Sequence, residues 1–242
     1  MKNLEYLFLL LALFAEIIGT VGGFGSSVFF VPVANFYFDF QTVLGITALF
    51  HVASNLSKIA MFKKGIDKKL MIYLGIPAVV FVVIGGIIAK YLNEYLLEII
   101  LGIFLIGLSL LFLIKKNLII KPNKREAFFG GSLSGLFAGI LGTGGAIRGL
   151  TMAAFNLEKN VFIATSAMID FFVDFSRTIV YFFNGFIIKE ILIYIPFLIV
   201  IGIVGTFIGK VLLKRISQET FKKTSLYLIF IIGIATLVGA LL

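Results

Sequence analysis

Long apolar runs, separated by short charged or turn-forming breaks, dominate the pattern of this 242-residue chain. A helix that spans a membrane needs about 20 mostly apolar residues. The uninterrupted runs that reach this length are Gln41–Phe62, Lys68–Ala89, Tyr95–Ile114, Val161–Phe183, Ile187–Leu213 and Thr220–Leu242. We predict that each of them forms one transmembrane helix.

Two further apolar stretches are interrupted by glycine. Leu4–Phe38 breaks near Gly22–Gly25, and Ala127–Leu157 breaks near Gly142–Gly145. The pieces on either side of each break are expected to be short for a full crossing. We therefore predict two helical hairpins, each of them either re-entrant or fully crossing.

The composition is that of a membrane protein. The chain is 60% hydrophobic and 14% charged, with a mean hydropathy of +1.13. A soluble domain is about 45–50% apolar and about 25% charged, so a water-soluble globule is excluded. The chain has no cysteine, which excludes disulfides, thiolate catalysis and thiolate metal ligands.

The net charge of +9 comes from 21 basic and 12 acidic residues. The basic residues cluster in three connections between apolar runs, at residues 63–69, 115–125 and 214–223. Because they do not form one dense patch, they argue against a nucleic-acid partner. The positive-inside rule places all three connections in the cytoplasm.

The positions of these connections determine the parity of the membrane crossings. Between the second and third connections the number of crossings must be even, and Val161–Phe183 and Ile187–Leu213 supply two. The glycine-broken stretch must then supply none or two, so it is a hairpin with both ends on one side of the membrane. Each half of the chain therefore holds a hairpin and three spans. Because three is odd, the second half is predicted to be inverted relative to the first.

An internal repeat supports the same division. At a shift of 119 residues, Gly23 matches Gly142 and Gly25 matches Gly144. The same shift matches Ser57 with Ser176, Lys58 with Arg177, Pro77 with Pro196 and Gly86 with Gly205. The predicted fold is all-α and polytopic, with inverted repeats at residues 1–120 and 121–242 and about 8–10 membrane segments. Inverted repeats with broken helices are a recurrent plan of secondary transporters.

The two glycine turns are the first candidate binding elements. In a membrane, non-helical backbone occurs only where it is buried in protein or lines a water-filled cavity. The second arm of each hairpin begins with free N–H groups and the positive end of a helix dipole, which attract anions. The substrate-binding candidates at the turns are Gly23, Gly25, Ser26, Ser27, Gly142, Gly144, Gly145 and Arg148. The alternative is that the glycines only let helices pack closely.

Ionisable residues within the spans form a second group of candidates. Asp170, Asp174, Arg177 and Tyr181 have the spacing of one stripe along a helix. The equivalent positions in the first half are His51, Asn55 and Lys58. Ionisable side chains are costly in a membrane, and they face the bundle interior or a pore.

Two interpretations of this stripe remain open. In the functional one, Asp170, Asp174 and His51 are candidates for proton coupling, while Lys58 and Arg177 are further candidates for anion binding. In the other, Asp174 and Arg177 form an internal ion pair, and Lys58 snorkels to the cytoplasmic edge. Asp170 lies mid-span with no basic partner nearby in the sequence, which favours a functional role for it.

No motif indicates an enzyme, a metal site or another cofactor. The chain has a single His and no Cys, so it lacks the His-Glu-x-x-His pattern of a helical metalloprotease. The Asp170 and Asp174 pair lacks the additional aspartates and glycines expected of a phosphoalcohol transferase. Glu16, in the first hairpin arm, matches Gly135 in the repeat, and the sequence assigns it no role.

The glycine turns resemble those of the TauE/SafE family of sulfite-exporter-type membrane proteins, and the resemblance covers nearly the whole chain. Its motifs are Gly23–Ser27 leading to Pro32, Gly135–Gly145, and the step Thr165-Ser166-Ala167. The chain departs from the family pattern at Ser26 and Ser27, which replace glycines, at Thr151, which replaces a frequent proline, and at Arg148, which replaces an apolar residue. The resemblance implies a bacterial or archaeal inner-membrane transporter of small sulfur-containing anions.

These observations together predict a secondary transporter that exports a small oxyanion, such as sulfite or an organosulfonate, by alternating access. The expected location is the cell inner (plasma) membrane, and the expected partners are the lipid bilayer and the small anion. No sequence feature decides whether the chain forms a homodimer. The alternative hypothesis is a membrane scaffold or assembly protein without transport activity, which accounts for the apolar chain but not for the charged stripes.

Overall fold

The computed structural model describes residues 2–22, 25–62, 65–114, 121–213 and 218–241, and every regular element in these ranges is helical. The helices are α1 (Lys2–Gly22), α2 (Ser27–Asn35), α3 (Phe40–Met61), α4 (Lys68–Ala89), α5 (Glu94–Ile114), α6 (Lys124–Leu141), α7 (Gly145–Ala153), α8 (Lys159–Asn184), α9 (Ile195–Leu212) and α10 (Gln218–Leu241). A π-helical turn, Met71–Gly75, lies within α4, and a 3-10 turn, Lys189–Ile193, precedes α9. The prediction of an all-α polytopic fold is confirmed.

Five helices among the described residues are long and apolar enough to cross a membrane. They are α1 from Glu5 onward, α3, α4, α5 and α9. The prediction that both arms of the first hairpin are short for a full crossing was wrong for α1, because its segment Glu5–Gly22 is 18 residues long and apolar enough to cross despite Glu16. Helix α8 has 26 residues, but its three mid-helix charges make it less apolar, and for α10 the described apolar part is Leu226–Leu241.

The helices present apolar side chains outward and polar side chains inward. On α9, Phe197, Val200 and Phe207 are more than half exposed, whereas Thr206 on the opposite side of the helix is fully buried. An exposed apolar surface of this extent is stable in lipid and unfavourable in water. The arrangement therefore suits a bilayer.

The helix pairings repeat between the two halves of the chain. Helix α1 packs along α9, and α6 packs along α4; helix α3 pairs with α8, and α5 pairs with α10. At the shift of 119 residues, α1 corresponds to α6, α3 to α8, α4 to α9 and α5 to α10. The α1–α9 pairing is therefore equivalent to the α6–α4 pairing. The α3–α8 and α5–α10 pairings each join a helix to its own equivalent in the other half of the chain.

Small residues let the helices of one such pairing approach closely. A Cβ atom on Gly135 or Gly139 of α6 would collide with the carbonyl oxygen of Ala78 or Val82 on α4. Gly135 is therefore a packing residue, as the alternative interpretation of the glycines proposes. Close packing of α4 against α6 holds the second hairpin in place.

Each hairpin turns at a glycine in the left-handed conformation. Helix α6 ends at Leu141, and Gly142 has a φ of +72° before α7 begins. In the first hairpin, Gly25 has a φ of +82° and precedes Ser26, the N-cap residue of α2. L-residues with a Cβ atom rarely adopt this region, which explains glycine at both turns.

Candidate functional site

A cavity lined mainly by polar side chains and glycines lies where the two hairpin turns meet α3 and α8. Its walls contain every predicted site residue that the structure describes: Gly25, Ser26, Ser27, His51, Lys58, Gly142, Gly144, Gly145, Arg148, Asp170, Asp174 and Arg177. Asn55, Ala138 and Val173 complete the lining. Gly23 lies outside the described residues. Two distant turns and two stripes of the sequence thus converge on one place.

The two hairpin turns touch each other at the cavity. The Ser27 hydroxyl donates a hydrogen bond to the Thr143 hydroxyl over 3.2 Å. A Cβ atom on Gly25 would lie 3.6 Å from the Cα atom of Gly145. The N-terminal ends of α2 and α7 therefore open onto the same cavity, where their first N–H groups have no partner within the helix.

Each of the three basic side chains that line the cavity forms an ion pair with a carboxylate. Lys58 Nζ lies 2.8 Å from Glu16 Oε1, and Arg177 Nη2 lies 2.8 Å from Asp174 Oδ1. Arg148 forms an ion pair with Asp170. The Asp174–Arg177 pair confirms one part of the structural interpretation of the stripe.

Lys58 does not snorkel to the membrane edge. Lys58 is 7% exposed, and its Nζ atom lies 2.8 Å from Glu16 Oε1 and 2.8 Å from the Ser54 hydroxyl. The snorkelling interpretation was wrong because Glu16, on α1, lies close enough to hold the ammonium group inside the protein. The sequence assigned no role to Glu16. The one feature that could have indicated a role is the presence of a carboxylate within an apolar segment.

The partner of Asp170 comes from another helix. Arg148 lies on α7, and its Nε atom also donates to the Ser166 hydroxyl over 3.1 Å. The expectation that Asp170 lacks a basic partner holds along the sequence but not in the fold. Arg148, at a position where the TauE/SafE pattern has an apolar residue, thereby ties the second hairpin to α8.

Arg177 caps the C-terminal end of α6, the helix that forms the first arm of the second hairpin. Its Nη1 atom donates to the carbonyl oxygens of Gly142, at 2.7 Å, and Ala138, at 3.2 Å. The Tyr181 hydroxyl donates to the Gly139 carbonyl over 2.8 Å. Carbonyl groups at a helix end have no partner within the helix, so these side chains replace the missing turn. Arg177 Nε is buried and has no hydrogen-bond partner among the described residues.

His51 is connected to the first hairpin turn. Its Nδ1 atom lies 2.8 Å from the Thr47 carbonyl oxygen, and its Nε2 atom lies 2.8 Å from the Ser26 hydroxyl. Because a carbonyl oxygen only accepts, Nδ1 carries a proton. In the neutral ring Nε2 then accepts from Ser26, which directs that hydroxyl proton to the histidine. Protonation of the ring would reverse this bond and free the Ser26 proton for another acceptor.

A metal site does not emerge from these side chains. The described residues contain no group of three or more His, Asp or Glu side chains that could hold a metal ion. The carboxylates of the cavity are instead engaged by Lys and Arg.

The fold and the cavity define a multi-pass membrane protein with polar groups buried between apolar helices. Over residues 8–236 the chain matches the family model described as Sulfite exporter TauE/SafE, and it therefore belongs to the TauE/SafE family. The family resemblance drawn from the glycine turns is confirmed. Membership implies a membrane transporter of the sulfite-exporter type. A comparison with curated proteins gives no match.

Proposed function

We propose that the protein is a secondary transporter that exports a small sulfur-containing oxyanion, sulfite or an organosulfonate, across the inner (plasma) membrane by alternating access. The observation that carries the proposal is the meeting of two helix N-termini, those of α2 and α7, at one buried polar cavity. Helix N-termini bind anions through free N–H groups and the helix dipole. Ser27 and Arg148 lie at the same turns.

Two inverted repeats, residues 1–120 and 121–242, are the moving parts in this proposal. The equivalence of the α1–α9 and α6–α4 pairings supports the repeat, as does the contact of α3 with α8. One repeat rocking against the other would expose the cavity first to one side of the membrane and then to the other.

A second cavity supports access from the cytoplasm. It shares Gly25, Lys58 and Asp170 with the central cavity and extends to Phe162 and Ile163 near the start of α8. Phe62, after α3, and Leu213, after α9, pack beside Ile163 on this side. The sequence that follows each of them is basic, so the positive-inside rule predicts that this side faces the cytoplasm. Towards the other side, the backbone of Phe186 packs against Gly45 and excludes even a methyl group there. We infer an inward-facing state.

Export of an anion does not require a coupled proton. An anion that leaves a cell with a negative interior gains about 2.3 kcal/mol per charge per 100 mV. Proton coupling through Asp170, Asp174 or His51 would add to this driving force. In the inward-facing arrangement Asp170 is the most accessible of the three, with its side chain 18% exposed.

Flux into liposomes tests the proposal. The purified protein is reconstituted, and the flux of sulfite, sulfoacetate, sulfate and chloride is compared with that of protein-free liposomes. We expect flux of at least one sulfur oxyanion above that of chloride. No flux of any anion would sink the transport proposal. Impaired assembly of a partner protein in Asp170→Asn and Arg177→Gln variants, with flux unaltered, would favour the scaffold alternative.

A further inference from the structure

Glu16 is a fully buried carboxylate outside the cavity lining, and three helices hold it in place. Its Oε1 atom accepts from the hydroxyls of Ser54, at 2.6 Å, Thr206, at 3.1 Å, and Thr20, at 3.2 Å. The same oxygen lies 2.8 Å from Lys58 Nζ. Glu16 Oε2 has no partner among the described residues. Such a concentration of donors on one oxygen fixes the carboxylate beside the Lys58 ammonium.

Glu16 completes the charge balance of the cavity. Lys58, Arg148 and Arg177 line the cavity, but only two of the three carboxylates, Asp170 and Asp174, do so. The third, Glu16, reaches the cavity through Lys58. With Glu16 counted, three positive side chains face three negative ones, and the site has no net side-chain charge when all six are ionised and His51 is neutral.

The donors left for a substrate are therefore mostly uncharged. They are the first N–H groups of α2 and α7, whose N-terminal residues line the cavity. Helix N-termini carry only partial positive charge. A single negative charge, spread over several oxygens, suits this set of donors. A second charge would be buried without compensation, which is costly.

Resting on the proposed function, we propose that the site selects singly charged oxyanions over doubly charged ones, and that Glu16 sets this preference. Its carboxylate cancels the charge of Lys58, so Glu16 is a positioning residue that acts through Lys58 and does not touch the substrate. The preferred class is a sulfonate with one charge, or sulfite that carries one proton. Without Glu16 the site would have a surplus positive charge and would accept dianions.

Methanesulfonate and sulfate test the valence directly. Both have a tetrahedral sulfur centre and a fixed charge near neutral pH, one negative charge against two. For the unaltered protein in liposomes we expect faster flux of methanesulfonate than of sulfate at equal concentrations. In Glu16→Gln the ratio of the two fluxes should fall about tenfold or more, which is about 1.4 kcal/mol of lost discrimination.

Two further variants separate charge from structure. Ser109→Ala removes a buried hydroxyl that donates to the Ile106 carbonyl on α5, outside the cavity lining, and it should leave the ratio unchanged. Glu16→Gln combined with Lys58→Gln restores the balance, and it should return the preference to methanesulfonate. A ratio that stays constant in Glu16→Gln, or that falls equally in Ser109→Ala, would overturn the proposal. If Glu16→Gln does not fold, Asp170→Asn creates the same surplus charge at the cavity wall and should shift the ratio in the same direction; an unshifted ratio there overturns the proposal too.

The test distinguishes this inference from the proposed function. If the unaltered protein transports neither of these two anions, nor sulfite, the proposed transport function is contradicted. Flux in which sulfate equals or exceeds methanesulfonate leaves transport intact and contradicts valence selection by Glu16.

Discussion

Asn55 donates a hydrogen bond of 2.7 Å to Asp174, and the two residues are separated by 119 positions, the period of the internal repeat. A residue can contact its own equivalent only near the axis that relates two repeats. This pair therefore lies where the two halves of the chain meet, at the wall of the central cavity. The contact joins α3 to α8.

The Asn55–Asp174 pair predicts the outcome of a swap. Asn55→Asp alone places two buried carboxylates against each other, which is unfavourable. Asp174→Asn alone leaves Arg177 without its ion-pair partner. We expect each single variant to lower the thermal stability in detergent.

In the combined variant, the new carboxylate at position 55 lies three residues before Lys58, as Asp174 lies three before Arg177. The swap should therefore recover the stability lost to the two facing carboxylates in Asn55→Asp, while Arg177 still lacks its ion-pair partner. A double variant less stable than both single variants would contradict the equivalence of the two positions.

Gly25 and Gly185 provide a matched pair for testing the first hairpin turn. Both have a φ of +82°, so Ala at either position incurs a similar backbone cost of about 1–2 kcal/mol. A Cβ atom at Gly25 would lie 3.8 Å from Arg148 Nη2, inside the cavity, whereas Gly185 has no neighbour within 4 Å. We expect Gly25→Ala to lower oxyanion flux about tenfold or more, about 1.4 kcal/mol in barrier, and Gly185→Ala to retain flux once its amount in the membrane is matched. Equal losses in both variants would mean that only the backbone cost matters.

The cap on α6 is expected to contribute mainly to stability. Arg177→Lys keeps the charge but loses the planar fork that reaches both Asp174 and the Gly142 carbonyl. An unsatisfied buried polar group costs about 1–3 kcal/mol, so unfolding in detergent should occur at a clearly lower temperature.

Tyr181→Phe removes one hydroxyl donor to the same helix end, and it should cost about 1 kcal/mol. Tyr91→Phe, at a residue that is 80% exposed, is the control and should leave the melting temperature unchanged. If Tyr181→Phe and Tyr91→Phe both have the melting temperature of the unaltered protein, the Tyr181 hydroxyl does not stabilise the end of α6.

The sequence predicts those parts of the site that depend on local spacing. The stripe of Asp170, Asp174 and Arg177 follows from helical periodicity, and the match of Lys58 to Arg177 follows from the repeat. Both were available without a structure, as were the two glycine turns. The helix Lys68–Ala89 was also predicted with the bounds that the structure gives.

The sequence does not predict how the charges pair. Glu16 and Lys58 lie on different helices, as do Arg148 and Asp170. Their contacts depend on helix packing, which spacing along the chain does not encode. For the same reason the snorkelling of Lys58 was a reasonable but wrong expectation, because it treated the helix as if it stood alone in lipid.

Cysteine labelling shows whether the hairpin turns face water and bind an anion deep in the membrane. The chain has no cysteine, so Ser27→Cys is a single label site at the first turn, and Ser109→Cys, at a fully buried position on α5, is the control. In membranes with their cytoplasmic side accessible, a negatively charged, membrane-impermeant methanethiosulfonate should label position 27 but not position 109, and methanesulfonate should slow that labelling. Labelling of position 27 only by a lipid-soluble maleimide, with no effect of any sulfur oxyanion, would contradict a water-accessible anion site at the hairpin turns.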